Sequence, residues 1–273
     1  MDLTTITLLL LLGACTGFLA GLLGIGGGMV MVPFVTMLLE RQGFEPDLVV
    51  KVAIATSLST ILFTSVSSVR AHHRRGGVLW RVAAVLAPGI VVGSFAGAQI
   101  AGALRGALLA AFFGLFISWA AMRMILPGRR AREASAASLP GRAAMFGMGA
   151  VIGVLSALLG AGGAFLTVPF LTGRGVRPQQ AVGTSAACGF PIALAGAAGY
   201  AFAGLRVPLP AGTIGYVYLP ALLTIAAASV LTAPLGARAA HALPTASLKK
   251  VFAYTLFCLA AYMLWKAWAL ASA

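Results

Sequence analysis

Apolar runs as long as a bilayer is thick recur from one end of this chain to the other, and no other feature restricts the fold as strongly. Stretches such as 3–23 and 106–126 carry almost no charge, and each matches the roughly 20 residues a helix needs to cross a hydrocarbon core. A soluble domain has about one quarter charged residues, whereas this chain has 9% and a mean hydropathy of +1.01, too little polar surface to face water. The runs are continuous and do not alternate, which excludes a membrane β-barrel. The expected fold is an all-α polytopic membrane protein in the lipid bilayer. Met1-Asp2 lacks the basic start of a secretory signal, so the first apolar stretch is expected to remain as a membrane segment.

The net charge of +14 could suggest a nucleic-acid partner. The cations cluster between apolar segments, in "RAHHRR" (70–75) and "GRRAR" (128–132), with few aromatics interleaved. Positive-inside orientation accounts for that pattern, and no nucleic acid is expected. Cys15, Cys188 and Cys258 sit singly in apolar segments and read as small buried hydrophobes, with no disulfide or zinc set.

Helices are predicted at about 3–23, 29–39, 48–70, 79–100 and 106–126, then at 143–159, 164–173, 178–203, 211–235 and 247–270. The polar stretch "PGRRAREASAASLPGR" (127–142) divides them. The domains are therefore a first transmembrane repeat (1–126), a cytoplasmic linker (127–142) and a second repeat (143–273). "GLLGIGGGMVMVPF" (21–34) and "ALLGAGGAFLTVPF" (157–170) are identical at eight of fourteen positions. Further on, "AIATSL" (53–58) answers "AVGTSA" (181–186), and "GAQIAGAL" (97–104) answers "GARAAHAL" (236–243). Between the first two matches the offset falls from 136 to 128, so the second copy is shorter there by eight residues.

A straight helix over 3–39 would measure roughly 55 Å against a core of roughly 30 Å. Gly24 to Gly28 is the natural break. If each broken segment is a hairpin that returns to its starting side, each half crosses an odd number of times and the halves are inverted. One side then collects 14 of the 19 cations. If each broken segment crosses once, the halves are parallel and the split is 11 to 8. The positive-inside rule favours the inverted arrangement.

A nucleotide-binding glycine loop needs a preceding strand and, for the Walker type, a Gly-Lys-Ser/Thr, and neither is present. Helix packing explains the spaced glycines, Gly13, Gly17 and Gly21, or Gly93 and Gly97. It does not explain Gly26, Gly27 and Gly28, nor Gly162 and Gly163 followed by Ala164, because consecutive positions rotate around a helix. Such residues permit unusual dihedrals and leave amides uncovered. Irregular backbone at membrane depth is tolerated only against protein or a wet cavity. Each following helix would point its positive N-terminus there. Glycine-broken segments at matching places in two halves mark a transporter's binding site, and a small anion is the substrate they suit.

Thr56-Ser57 and Thr184-Ser185 add hydroxyl donors at the same point of each repeat. Thr60, Thr64 and Ser67 are expected to bond back to their own helix instead. The carboxylates, Asp2, Glu40, Glu45, Asp47 and Glu133, fall at helix ends, in loops or in the linker, so none is placed to relay protons or hold a metal mid-membrane. His72, His73 and His241 read as orientation signals, and Lys51 as a cation reaching to the interface. No cofactor or metal is expected, and no catalytic cluster points to an enzyme.

The doubled glycine segment closing in Val-Pro-Phe, each copy trailed by a Thr-Ser pair, resembles the TauE/SafE family of membrane permeases over nearly the whole chain. The resemblance implies a secondary transporter of small sulfur-containing anions such as sulfite, sulfonates or sulfoacetate, in a bacterial inner membrane. Gly24, Gly26, Gly27 and Pro33, with Gly160, Gly162, Gly163 and Pro169, match its glycine-proline motifs. Ala164 stands where the first copy has Gly28. An anion channel and a carrier of small carboxylates stay open as alternatives, as do a proton or sodium co-ion and a homodimer.

Overall fold

The structure, a computed structural model, describes residues 3–23, 27–125, 140–242 and 245–272. It is helical almost throughout: α1 (Leu3–Leu23), α2 (Gly28–Arg41), α3 (Pro46–His73), α4 (Trp80–Ala103), α5 (Gly106–Ile125), α6 (Arg142–Leu159), α7 (Ala164–Thr172), α8 (Pro178–Ala203), α9 (Leu219–Ala242) and α10 (Thr245–Ser272). Eight of these are long and apolar enough to span a membrane; α2, with 14 residues, and α7, with 9, are not. The chain is an all-α polytopic membrane protein.

Nine of the ten expected helices begin and end within a few residues of their predicted bounds. The exception is the stretch expected to open a helix at 211. There β1 (Thr213–Ile214) and β2 (Val217–Tyr218) pair as an antiparallel hairpin, and α9 starts only at Leu219. Gly212 and Gly215 take φ of +90° and +51°, dihedrals that a helix cannot contain. Residues 126–139, which take in most of the 127–142 linker and Glu133, lie outside the described residues, as do Gly24, Gly26 and Asp2.

α3 lies at the centre and is buried along most of its length. Proline at its start, Asp47 in the first turn and Arg70, His72 and His73 in the last suit its dipole. Its repeat counterpart α8 packs beside it in the opposite direction: Leu58 meets Gly196, Ser65 meets Gly189, and His72 meets Gly183. Around this pair the expected glycine stripes dock. Gly13, Gly17 and Gly21 of α1 lie against Ile225, Ser229 and Ala233 of α9, running parallel. Gly89, Gly93 and Gly97 of α4 lie likewise against Phe146, Ala150 and Val154 of α6. Absence of a side chain lets the backbones approach closely, and van der Waals packing of that kind helps hold helices together in lipid.

These pairings exchange with the halves. α1 with α9 matches α6 with α4, α3 with α9 matches α8 with α4, and α5 packs on α10. The eight missing residues of the second copy fall on α7, five shorter than α2, and on the first turn of α8. Outward faces carry large apolar side chains such as Val92, Phe95, Leu115 and Leu223. All four tryptophans are exposed near helix ends, where indole rings favour the headgroup level.

Candidate functional site

Both glycine breaks build the same local geometry. Gly27 precedes α2 with φ +70° and ψ −9°, and Gly163 precedes α7 with φ +76° and ψ −2°. Both are left-handed, a conformation costly for any residue with a Cβ. Each glycine carbonyl accepts the third and fourth amides of its helix: Val30 and Met31 donate to Gly27, Leu166 and Thr167 to Gly163. No side-chain oxygen caps either helix. The first-turn amides, those of Gly28 and Met29 and of Ala164 and Phe165, thus lack intrahelical acceptors and lie at the positive end of the dipole. Gly28, Met29 and Ala164 are buried.

The two breaks meet near the centre of the molecule. Gly28 abuts the Gly160 carbonyl and the Ala161 backbone so closely that no Cβ would fit. That contact is the physical reason the first copy has glycine there. Ser57 joins the same point by donating to the Gly160 carbonyl at 2.8 Å. The threonines do a matched task elsewhere: Thr56 accepts the Tyr218 amide at 3.1 Å, just before α9, and Thr184 accepts the Leu79 amide at 3.0 Å, just before α4. Each therefore anchors the entry of a helix in the other half. Ser185 is fully buried with no partner for its hydroxyl. The structure thus gathers Gly28, Ser57 and Gly160 around one contact, and sets Thr56 and Thr184 apart from it.

A cavity of about 10 Å³, room for about one water, lies between α1, α3, α8 and the second break, lined by Ala20, Ile61, Thr64, Ser65, Ser68, Gly162, Ala186 and Gly189. The hydroxyl run of α3 supplies its polar wall. Thr60 and Thr64 bond back to their own helix as expected, to Thr56 and Thr60. Ser67 does not; it reaches the Val230 carbonyl of α9 at 3.1 Å. Ser65 and Ser68 were not singled out by sequence, although Ile61, Thr64, Ser65 and Ser68 follow the spacing of one helical face.

No charged side chain lines the cavity. Among the described carboxylates, Glu40 pairs with Lys266 at 2.6 Å, and Asp47 accepts the Gly106 amide at the start of α5. Lys51 does not reach outward: it is 5% exposed and donates to the Gly102 carbonyl at the end of α4, with Asp47 3.8 Å away. An anion at one helix start and a cation at the neighbouring helix end both complement the dipoles. Burial, and then the Asp47 carboxylate, hold the nearby Tyr216 phenol above its ordinary pKa. Of the cysteines, Cys188 is buried, whereas Cys15 and Cys258 are exposed against expectation, on outward faces where lipid accepts them as readily as a core.

A family model described as "Sulfite exporter TauE/SafE" matches residues 9–263. A probable membrane transporter protein of Haemophilus influenzae is 39% identical over 264 residues, 96% of this chain and 99% of that protein. One from Xylella fastidiosa is 27% identical over 261 residues and 94% of both chains. The probable membrane transporter protein YunE of Bacillus subtilis is 30% identical over 122 residues, 45% of each. No solved structure matches.

Proposed function

The chain belongs to the sulfite exporter TauE/SafE family, and from that premise we propose that this membrane transporter is a secondary permease for a small sulfur-containing anion such as sulfite, a sulfonate or sulfoacetate. It acts across the bacterial inner membrane, with its two halves inverted. The observation that carries the reading is the pair of uncapped helix N-termini, one from each half, each opened by a left-handed glycine in a buried setting. Two positive dipole ends with no carboxylate beside them among the described residues suit an anion and repel a cation. Gly26, Gly27, Gly28, Gly162, Gly163 and Ala164 supply backbone amides in this reading, and Ser57 and Ser185 hydroxyls, while Thr56 and Thr184 hold the entries of α9 and α4. Support for inversion comes from the antiparallel packing of the equivalent helices α3 and α8. A two-fold axis relating antiparallel spans lies in the membrane plane.

The cavity volume of about 10 Å³ is too small for any such anion, so binding requires α1 or α8 to move. Movement of that kind belongs to a carrier that alternates between closed and open states. Counterflow of radiolabelled sulfite into proteoliposomes tests the proposal. It should saturate, and unlabelled sulfoacetate should compete. Single-channel currents without saturation would instead identify an anion channel, and competition by carboxylates alone a carboxylate carrier.

A further inference from the structure

The hydroxyl wall of the cavity has no counterpart in the other half. Ser68 is 3% exposed, lines it, and leaves its Oγ without a partner. Thr64 is held only by long bonds to its own helix, at 3.3 and 3.4 Å, and Ser65 by one at 3.1 Å. The repeat places Ile192, Ala193 and Gly196 at the equivalent positions of α8. Hydroxyls at these positions thus occur in the first half alone, on one wall of a cavity that both halves border. Across from this wall stand small apolar side chains, Ala20 and Ala186, and the backbone of Gly162.

We propose that Thr64, Ser65 and Ser68 form the headgroup subsite for the three oxygens of an –SO3 group, and that Gly189 is glycine to keep this volume free. The assignment rests on the anion-transporter reading above. Three hydroxyls on one face, Thr64 and Ser65 on one turn and Ser68 on the next, can give each oxygen of an –SO3 group its own donor, whereas a carboxylate must take two donors on one oxygen. A neutral wall binds by hydrogen bonding, strengthened because the acceptor is charged. The apolar side accommodates the sulfur lone pair of sulfite or the first methylene of a sulfonate.

Gly189 makes the proposal separable from packing. A Cβ there would meet only the Ser65 Cβ at 3.6 Å and the Gly162 carbonyl at 3.8 Å, ordinary contacts. Alanine also suits a helix interior better than glycine. Gly189→Ala should therefore melt at the wild-type temperature or above it while filling the subsite. Ser68→Ala removes a hydroxyl that bonds to nothing, so it too should keep its stability. Gly147→Ala, on an exposed face of α6 with nothing within 4 Å, is the control.

The experiment is calorimetric titration of sulfite, sulfoacetate and acetate into purified protein, with melting temperatures beside it. Sulfite and sulfoacetate should bind the wild type better than acetate. Ser68→Ala should weaken both by about 10-fold or more, Gly189→Ala should abolish binding, and Gly147→Ala should change nothing. Wild-type affinity in both Ser68→Ala and Gly189→Ala overturns the subsite and leaves the transporter reading intact. Lost affinity that tracks a lowered melting temperature overturns it as well, because packing then explains the serines. A wild type that binds acetate but neither sulfur anion overturns the functional reading and the subsite together.

Discussion

Three glycines with nearly the same backbone angle but different surroundings isolate what the breaks cost. Gly43, Gly27 and Gly163 have φ of +78°, +70° and +76°. Alanine at any of them meets the same left-handed penalty, about 1–2 kcal/mol, offset by about 0.4–1 kcal/mol through the stiffer unfolded chain. The surroundings then separate the three. A Cβ at Gly43 meets nothing within 4 Å, so Gly43→Ala should lose about 1 kcal/mol. At Gly163 it comes within 2.6 Å of the Ile192 Cδ1, the mobile tip of a side chain that can rotate away, for a loss of about 1–2 kcal/mol. At Gly27 it comes within 2.6 Å of the Thr16 carbonyl oxygen, which belongs to α1 and cannot yield without moving the helix, so overpacking adds about 1–3 kcal/mol. Denaturant unfolding of purified protein in mixed micelles measures the three differences. The expected order of loss is Gly27, then Gly163, then Gly43. Equal losses, or the largest loss at Gly43, would show that the breaks are not held against α1 and α8 as described.

The remaining expectations are briefer. Thr56→Val strips a buried amide of its acceptor and Thr184→Val a half-buried one, so each should lower stability by about 1–3 kcal/mol, the first by more; a loss in only one would break the symmetry assigned to them. Gly163→Val should abolish binding of sulfite, since a β-branched residue both resists positive φ and covers the α7 amides; normal affinity in folded protein would return these glycines to packing. Single cysteines replacing Arg105 and Arg238, in a background without native cysteines, should label from opposite sides with an impermeant maleimide, and labelling from the same side would reject inversion. Glu40→Gln, which breaks the pair with Lys266, should lower stability by about 1–2 kcal/mol, whereas exposed Glu45→Gln should not; transport should survive both, and its loss at Glu45 with normal folding would reveal a relay or gate.

Local features of the chain determined much of this protein. Apolar length set the spans, because a bilayer imposes one thickness on every crossing. Consecutive glycines marked the breaks at 24–28 and 160–163, since only glycine enters left-handed backbone cheaply, and the positive φ of Gly27, Gly160 and Gly163 agrees. Glycine stripes announced tight helix pairs without saying which helix each would meet. The hairpin at 213–218 was misread because apolar composition concealed two turn glycines. What only the tertiary structure decided is partnership across the halves. Thr56 and Tyr218 are 162 residues apart, and Ser57 and Gly160 are 103 apart; a hydroxyl's environment is invisible until its neighbour is placed. The same holds for the cavity. Thr64 reads as a helix-bonded hydroxyl on α3 and Ser65 and Ser68 draw no notice, and the three become a polar wall only where Gly162 and Gly189, from distant sequence, leave them facing open space.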